Sequence, residues 1–207
     1  STKGVEAQSE RLMDVGRMRN TPVIIFVNKL DLECRDAFEL RYELENLLAI
    51  RVRPLSWPIS IGATFKGVYD LYEGDLRLFE PGTPRPAITA LRIENLLDPR
   101  VDDKLGTAAA TELRNDVELV NGVYDPLDLP AYRAGELAPV FFGSAFNNFG
   151  VREVLDTFVR IAPPPGPRET DHGTVSPEDP EFSGFVFKIH ANLDPNHRDR
   201  VAFMRVC

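Results

Sequence analysis

The chain is poor in cysteine and has no long apolar run. Its 207 residues include two cysteines, Cys34 and Cys207, which stand far apart and outside any Cys-x-x-Cys spacing. Neither a disulfide framework nor a zinc site is supported, and a reduced, cytoplasmic setting is expected. No segment approaches the roughly 20 consecutive apolar residues that span a bilayer, so we expect neither export nor membrane insertion.

Basic residues are also in the minority. The chain has 24 Lys and Arg against 32 Asp and Glu, which gives a net charge of -8 at pH 7. This balance argues against a uniformly basic nucleic-acid-binding surface and leaves room only for a local basic patch. Hydrophobic residues make up 43 % of the chain, which is enough for a packed core. We therefore expect a globular protein.

Two short apolar runs are typical of buried strands in a parallel sheet. The first, residues 23–27, follows a helical stripe at residues 5–18 and precedes a helix that Asp36 can cap. The second, residues 139–142, precedes a helical pattern at residues 151–161. This order of helices and strands predicts α/β architecture, with both strands in one core.

The pattern changes between these strands and again after the last helix. Prolines and glycines punctuate residues 53–79, which indicates short antiparallel strands. With a helical pattern further on, we interpret residues from about 53 to 137 as an inserted α+β subdomain. Residues 163–174 begin with prolines around a glycine and predict a stiff linker. Residues 175–207 contain two strand-like runs, as expected at the start of a β-barrel domain.

Polar residues follow the first buried strand at the end where ligands bind in open α/β sheets. They are Asn28, Lys29, Leu30 and Asp31. The carboxylate of Asp31 can accept hydrogen bonds from the N1–H and the exocyclic amine of guanine, a pair that adenine does not present. Lys29 offers its aliphatic stem to the base plane, and Asn28 can tie the loop to neighbouring backbone. Alone, the tetrapeptide is equally compatible with a polar turn.

A second loop follows the other buried strand, again at its carboxyl end. It contains Gly143, Ser144, Ala145 and Phe146. A small residue here lets a backbone N–H approach a base carbonyl, so we expect the N–H of Ala145 to donate to guanine O6, where adenine carries an amine. Together the two loops predict a guanine pocket, because their shared position is more specific than either loop alone.

The paired loops resemble the fourth and fifth signature motifs of P-loop GTPases, across residues 1–162. The insertion between them and the proline-rich connector resemble translational GTPases of the elongation factor G kind. Within that group the chain is most similar to the peptide chain release factor 3 family, at residues 57–59, 65–69, 141–145 and 187–200. The resemblance implies a GTPase as the parent protein, with GTP or GDP and Mg²⁺ as ligands. It also implies the ribosome and decoding release factors as partners.

The motifs that hold phosphates are missing from the sequence. It contains no Gly-x-x-x-x-Gly-Lys followed by Ser or Thr, and no Asp-x-x-Gly directly after a strand. Phosphoryl transfer depends on the cradle, the lysine and the magnesium-ligating hydroxyl that such motifs supply. We therefore expect an internal piece of the parent GTPase that contains no catalytic residue and no metal ligand. This piece should not hydrolyse GTP by itself.

The resemblance also bears on self-association. In the family's sheet, further strands lie beside residues 23–27, and without them this strand becomes an edge. An unpaired apolar edge tends to recruit another chain, so we predict a dimer through this edge or through the unfinished β module.

Two alternatives remain open. One is an elongation factor G-like or ribosome-protection GTPase, which differs in the loop at residues 192–200. The other is a module that docks on the ribosome without nucleotide through a local basic cluster. That cluster contains Lys188, His197, Arg198, Arg200 and Arg205. The spacing of His190 and His197 does not suit a helical zinc pair.

Overall fold

The chain divides into two compact units, Ser1–Ala162 and Pro163–Cys207. A computed structural model describes residues 3–79, 89–191 and 200–206. The first unit contains a three-stranded and a four-stranded sheet with flanking helices, and the second contains two two-stranded sheets.

The helices and strands follow in chain order. The first unit contains α1 (Ala7–Arg17), β1 (Ile25–Val27), α2 (Ala37–Leu48), β2 (Arg51–Pro54), β3 (Ser56–Ile59), a 3₁₀ turn (Gly62–Thr64), β4 (Gly67–Asp70), β5 (Asp75–Leu78), β6 (Thr89–Arg92), α3 (Pro99–Leu105), α4 (Thr107–Val123), α5 (Leu129–Arg133), β7 (Leu137–Phe142) and α6 (Val151–Ile161). The second unit contains β8 (Arg168–Thr170), β9 (Gly173–Val175), β10 (Gly184–Ala191) and β11 (Arg200–Val206).

The parallel sheet is built around β7. Its strand order is β1–β7–β2, and both neighbours run parallel to β7. All residues of β7 are buried, as expected for an apolar strand covered on both faces. Among the described strands β1 is an edge, and only Val27 of its residues is buried. The predicted mixed α/β architecture with a parallel sheet is confirmed.

A four-stranded antiparallel sheet, ordered β3–β4–β5–β6, follows the parallel one. Short antiparallel strands were expected here, in an insertion from about residue 53, and the first strand of this sheet, β3, begins at Ser56. Arg53 and Pro54 belong to β2, where they pair with Pro139 and Val140 of β7. Among the described strands β2 is an edge, a position where proline is tolerated.

Helix α2 begins where the sequence predicts. The side chain of Asp36 accepts hydrogen bonds from the backbone N–H groups of Phe38 (2.8 Å) and Glu39 (3.3 Å), which caps the helix. Leu40 and Leu44 are buried on the core side, whereas Leu47 is exposed.

Helix α6 exposes much of its apolar face and buries a partly polar one. Leu155 and Phe158, from the apolar stripe that predicts the helix, are 57 % and 51 % exposed. The buried side instead carries Glu153 and Thr157. Buried Glu153 forms an ion pair with Arg77 of β5, with 3.6 Å between Oε1 and Nε. The covered side of α6 therefore combines a charged contact to the antiparallel sheet with the apolar side chain of Ile161.

The described residues of the second unit form two pairs of antiparallel strands. Strands β8 and β9 pair over residues 168–175, which overlap the segment predicted as a linker, residues 163–174. Strands β10 and β11 pair with an irregularity between Val186 and Lys188. Residues 192–199, which include His197 and Arg198, lie outside the described residues, as does Cys207. None of the helices in the described part of the chain has the length and hydropathy needed to span a bilayer.

Candidate functional site

The loops that follow β1 and β7 lie side by side at the carboxyl end of the parallel sheet. Asn28 Oδ1 accepts the backbone N–H of Ala145 at 2.8 Å and the backbone N–H of Lys29 at 2.8 Å. The N–H of Leu30 donates to the carbonyl of Gly143 at 3.1 Å. Because β1 and β7 are parallel neighbours, their ends meet, and these bonds join the two loops into one surface.

The side chains of the loop after β1 differ in their exposure to solvent. Lys29 has a left-handed backbone (φ 67°), which is uncommon for a residue with a side chain, and its side chain is exposed. The side chain of Leu30 is fully buried in the core. Asp31 is half-buried. Of the four residues predicted to form the first half of the site, Leu30 therefore anchors the loop and presents no side chain at its surface.

The amide of Ala145 already has a protein partner. The sequence predicts that this N–H donates to guanine O6, whereas in the structure it donates to Asn28 Oδ1. An incoming carbonyl oxygen would have to share this N–H with Asn28 in a three-centre bond or displace it.

The loop after β7 closes on itself. Ser144 and Phe149 exchange two backbone hydrogen bonds, of 3.0 and 2.9 Å, and both residues are buried. A Cβ at Gly143 would lie 2.3 Å from the carbonyl oxygen of Phe149, so glycine is needed where the strand enters this loop. The loop therefore has a rigid base beneath its exposed tip at Ala145 and Phe146.

Phe146 projects from that tip and is 93 % exposed, whereas Phe141, Phe142 and Phe149 on either side of it in sequence are buried. A large aromatic ring in water loses the favourable free energy of burial. Its exposure places a flat apolar surface on the same loop pair as the exposed Lys29 side chain.

Asn147 joins the two loops through its side chain and was not identified from the sequence. Its Nδ2 donates to Asp31 Oδ2 at 3.2 Å and to Ser144 Oγ at 3.0 Å. Its only sequence signal is an amide three residues after Ser144 in the loop that closes the site. The pairing with Asp31 depends on strand order, which local sequence does not specify.

The antiparallel sheet and its connecting segments contact both loops. The N–H of Gly62, in the 3₁₀ turn after β3, donates to the carbonyl of Leu30 at 2.9 Å. The ring of Phe149 makes edge-to-face contacts with the rings of Phe65 and Phe79, with centroids 5.4 and 5.6 Å apart. These contacts tie the site to the antiparallel sheet as well as to the parallel one.

The described residues contain no group of three or more His, Cys, Asp or Glu side chains arranged to hold a metal ion.

His190 stands beside the Phe203 ring, with 5.7 Å between ring centroids. Lys188, from the predicted basic cluster, also lies over that ring, with Nζ 5.9 Å from its centroid. Cys34, close after the first loop, is a half-buried free thiol.

Comparison with known proteins gives a family and a fold. Residues 1–164 match the family model of the elongation factor Tu GTP binding domain. The fold is similar to that of a protein from Thermus thermophilus in a crystal structure, with a TM-score of 0.60 and 22 % sequence identity. The similarity covers 98 % of this chain and 30 % of that chain, so this chain spans less than a third of its length.

Proposed function

The chain belongs to the family of elongation factor Tu GTP-binding domains, and on that premise we propose that the loops after β1 and β7 recognise the guanine base of GTP or GDP in a translational GTPase. The observation that carries this proposal is the 2.8 Å hydrogen bond between Asn28 and Ala145. It joins residues 117 positions apart in the chain into one surface.

The residues of the loop pair fit a purine base. Asp31 is half-buried, and its carboxylate would accept both hydrogens on the guanine edge, at N1 and at the exocyclic amine. Phe146 and the stem of Lys29 offer exposed apolar surface for the faces of the ring. Ser144 and Leu30 act through their buried positions, which fix the loops.

The phosphates and Mg²⁺ of the nucleotide require other groups. The sequence has no phosphate-binding glycine-rich motif with its lysine. In this proposal the residues of the two loops therefore select the base and do not bind the phosphates. In this proposal GTP hydrolysis belongs to the complete enzyme, and this chain alone is inactive.

Within the family we propose the release-factor type, in which GTP is used to promote dissociation of decoding release factors from the ribosome. Support comes from the runs at residues 57–59, 65–69 and 141–145, which are similar to that group. Most of the residues in these runs are buried. The same proposal treats residues from about 53 to 137 as an inserted α+β subdomain and residues 175–207 as the start of a β-barrel domain.

Asp31→Asn tests the assignment of base choice. The wild-type chain and the variant are titrated by NMR with guanosine and xanthosine monophosphates at millimolar concentration. We expect the wild-type chain to prefer the guanine nucleotide. The variant should shift toward xanthine, because the amide can donate to the xanthine C2 carbonyl where the carboxylate repels it. Guanine preference retained in the variant would contradict the assignment.

Asp36→Asn is the matched control for this experiment. It makes the same chemical change five residues away, at the cap of α2, where asparagine also caps well. We expect this control to keep the wild-type preference. Co-sedimentation of the chain with ribosomes, with and without GDP, addresses the docking alternative, which predicts pelleting without any nucleotide binding.

A further inference from the structure

We propose that Asn147 is a specificity-determining positioning residue, which holds the Asp31 carboxylate in the orientation that reads guanine. This inference rests on the proposed function of the loop pair. Its basis is the double contact of one side-chain amide, 3.2 Å from Asp31 Oδ2 and 3.0 Å from Ser144 Oγ.

The chemistry of the contact determines how the amide is turned. A carboxylate only accepts hydrogen bonds, so the nitrogen of the Asn147 amide must face Asp31 and the amide oxygen must face away. The NH₂ group has two hydrogens, and it has one acceptor on each loop: Asp31 after β1 and Ser144 after β7. Asn147 therefore connects the carboxylate to the other strand of the sheet.

The far end of this connection is rigid. Ser144 is buried, and its backbone N–H and carbonyl are both paired with Phe149. Phe149 is in turn packed against the rings of Phe65 and Phe79. A donor fixed to such a base can hold Asp31 more firmly than a mobile surface side chain could. Asn147 Nδ2 donates to this carboxylate at 3.2 Å.

Orientation matters because guanine is read by two oxygens at once. Guanine offers two donors on one edge, N1–H and the amine, whereas hypoxanthine offers N1–H alone. A carboxylate free to rotate about its Cβ–Cγ bond can still meet one donor at any angle, but two donors require its plane to match the base edge. Loss of Asn147 should therefore weaken guanine binding more than hypoxanthine binding.

The experiment measures the ratio of affinities for guanosine and inosine monophosphates. The chain is titrated with each nucleotide by NMR, as wild type and as Asn147→Leu, which keeps the size and removes both donors. Asn147→Asp is the second variant, since it places a carboxylate against the carboxylate of Asp31. Because the two nucleotides share the same phosphate, any phosphate contact cancels in the ratio.

Asn148→Asp is the matched control. It introduces the same charge at the next position, which is exposed and has a left-handed backbone (φ 57°) that aspartate tolerates. A thermal melt checks that each protein is folded, and Asn147→Ser replaces any variant that is not. A role limited to loop stability would lower both affinities together and leave their ratio unchanged.

We expect the guanine preference to fall about tenfold in both Asn147 variants, the low end of the scale of one hydrogen bond to a charged group. The control should keep the wild-type ratio. If the Asn147 variants keep the ratio too, the inference is overturned while the proposed function stands. If the wild-type chain binds neither nucleotide or does not distinguish them, the proposed function and the inference both fail.

Discussion

At the scale of single residues, two aspartates near the ends of strands differ in burial and in hydrogen-bond partners. Asp70 ends β4 and is buried, and its Oδ1 accepts the backbone N–H groups of Tyr72 and Glu73, both at 2.9 Å. Burial raises its pKa, and the two backbone hydrogen bonds oppose that shift. Asp31 is half-buried and held by Asn147. The first carboxylate shapes a turn, whereas the second remains partly exposed.

Asp70→Asn should stabilise the protein at neutral pH by about 1 kcal/mol, a typical size for a single substitution. The amide keeps an oxygen for the two backbone donors and removes a charge whose burial is unfavourable. Urea unfolding at pH 7 measures the free energy of unfolding of both proteins. Asp103→Asn, an exposed position on α3, serves as the control and should change it little.

The gain from Asp70→Asn should depend on pH. Because the pKa in the folded state lies above the usual 3.8, the folded protein binds more protons than the unfolded chain between those two values. The wild-type protein therefore loses stability as pH rises through that window, and the variant does not. We expect the advantage of the variant to vanish below about pH 3.8 and to be complete at pH 7. An advantage that grew on acidification would contradict this account.

At the scale of structural elements, the antiparallel sheet is part of the framework of the site. Its 3₁₀ turn binds the loop after β1 through the N–H of Gly62. Its aromatic residues Phe65 and Phe79 pack on Phe149 at the end of the loop after β7. Arg77 of β5 pairs with buried Glu153 in the first turn of α6, the helix that follows that loop. Three separate contacts thus link this sheet to the candidate site.

Phe65 and Phe149 should be energetically coupled. Phe149→Leu and Phe65→Leu are each expected to lower the free energy of unfolding, and the double variant should lose less than the sum. An edge-to-face aromatic pair contributes about 0.5–1.5 kcal/mol beyond the area it buries, which sets the expected coupling. Urea unfolding of the four proteins in the cycle measures it. Strictly additive losses would show that the contact does not link the sheet to the loop.

At the scale of the whole molecule, the first unit leaves apolar structure uncovered. Among the described strands β1 is an edge of the parallel sheet, and the apolar stripe of α6 faces outward at Leu155, Phe158 and Val159. Unpaired edges and exposed apolar stripes both favour association with another chain. The predicted self-association therefore has two candidate surfaces in this unit.

Self-association is expected to increase with protein concentration. Sedimentation velocity over a wide concentration range should show a rising average mass, and Phe158→Asp should reduce it if the α6 stripe takes part. Leu119→Asp, at another exposed apolar position on α4, is the control. Association that persists unchanged in Phe158→Asp assigns the contact to the edge of β1 or to the β module, and a strict monomer at every concentration contradicts the prediction.

Much of the first unit follows from local sequence. The apolar run at residues 23–27 and the cap at Asp36 predict β1 and α2, and the match over residues 1–164 confirms membership in a family of GTP-binding domains of translation factors. Helix α3 was missed, because a seven-residue helix is too short to show a periodic stripe.

The sequence by itself determined where β1, α2, β7 and α6 form and which polar residues follow the two strands, because those properties depend on neighbours along the chain. Only the tertiary structure decided that Pro54 stays in the parallel sheet, that α6 buries Glu153, and that Asn147 meets Asp31. The physical reason is that the spacing of apolar residues marks a face without specifying what covers it. A contact between residues 116 positions apart exists only once β1 and β7 have paired.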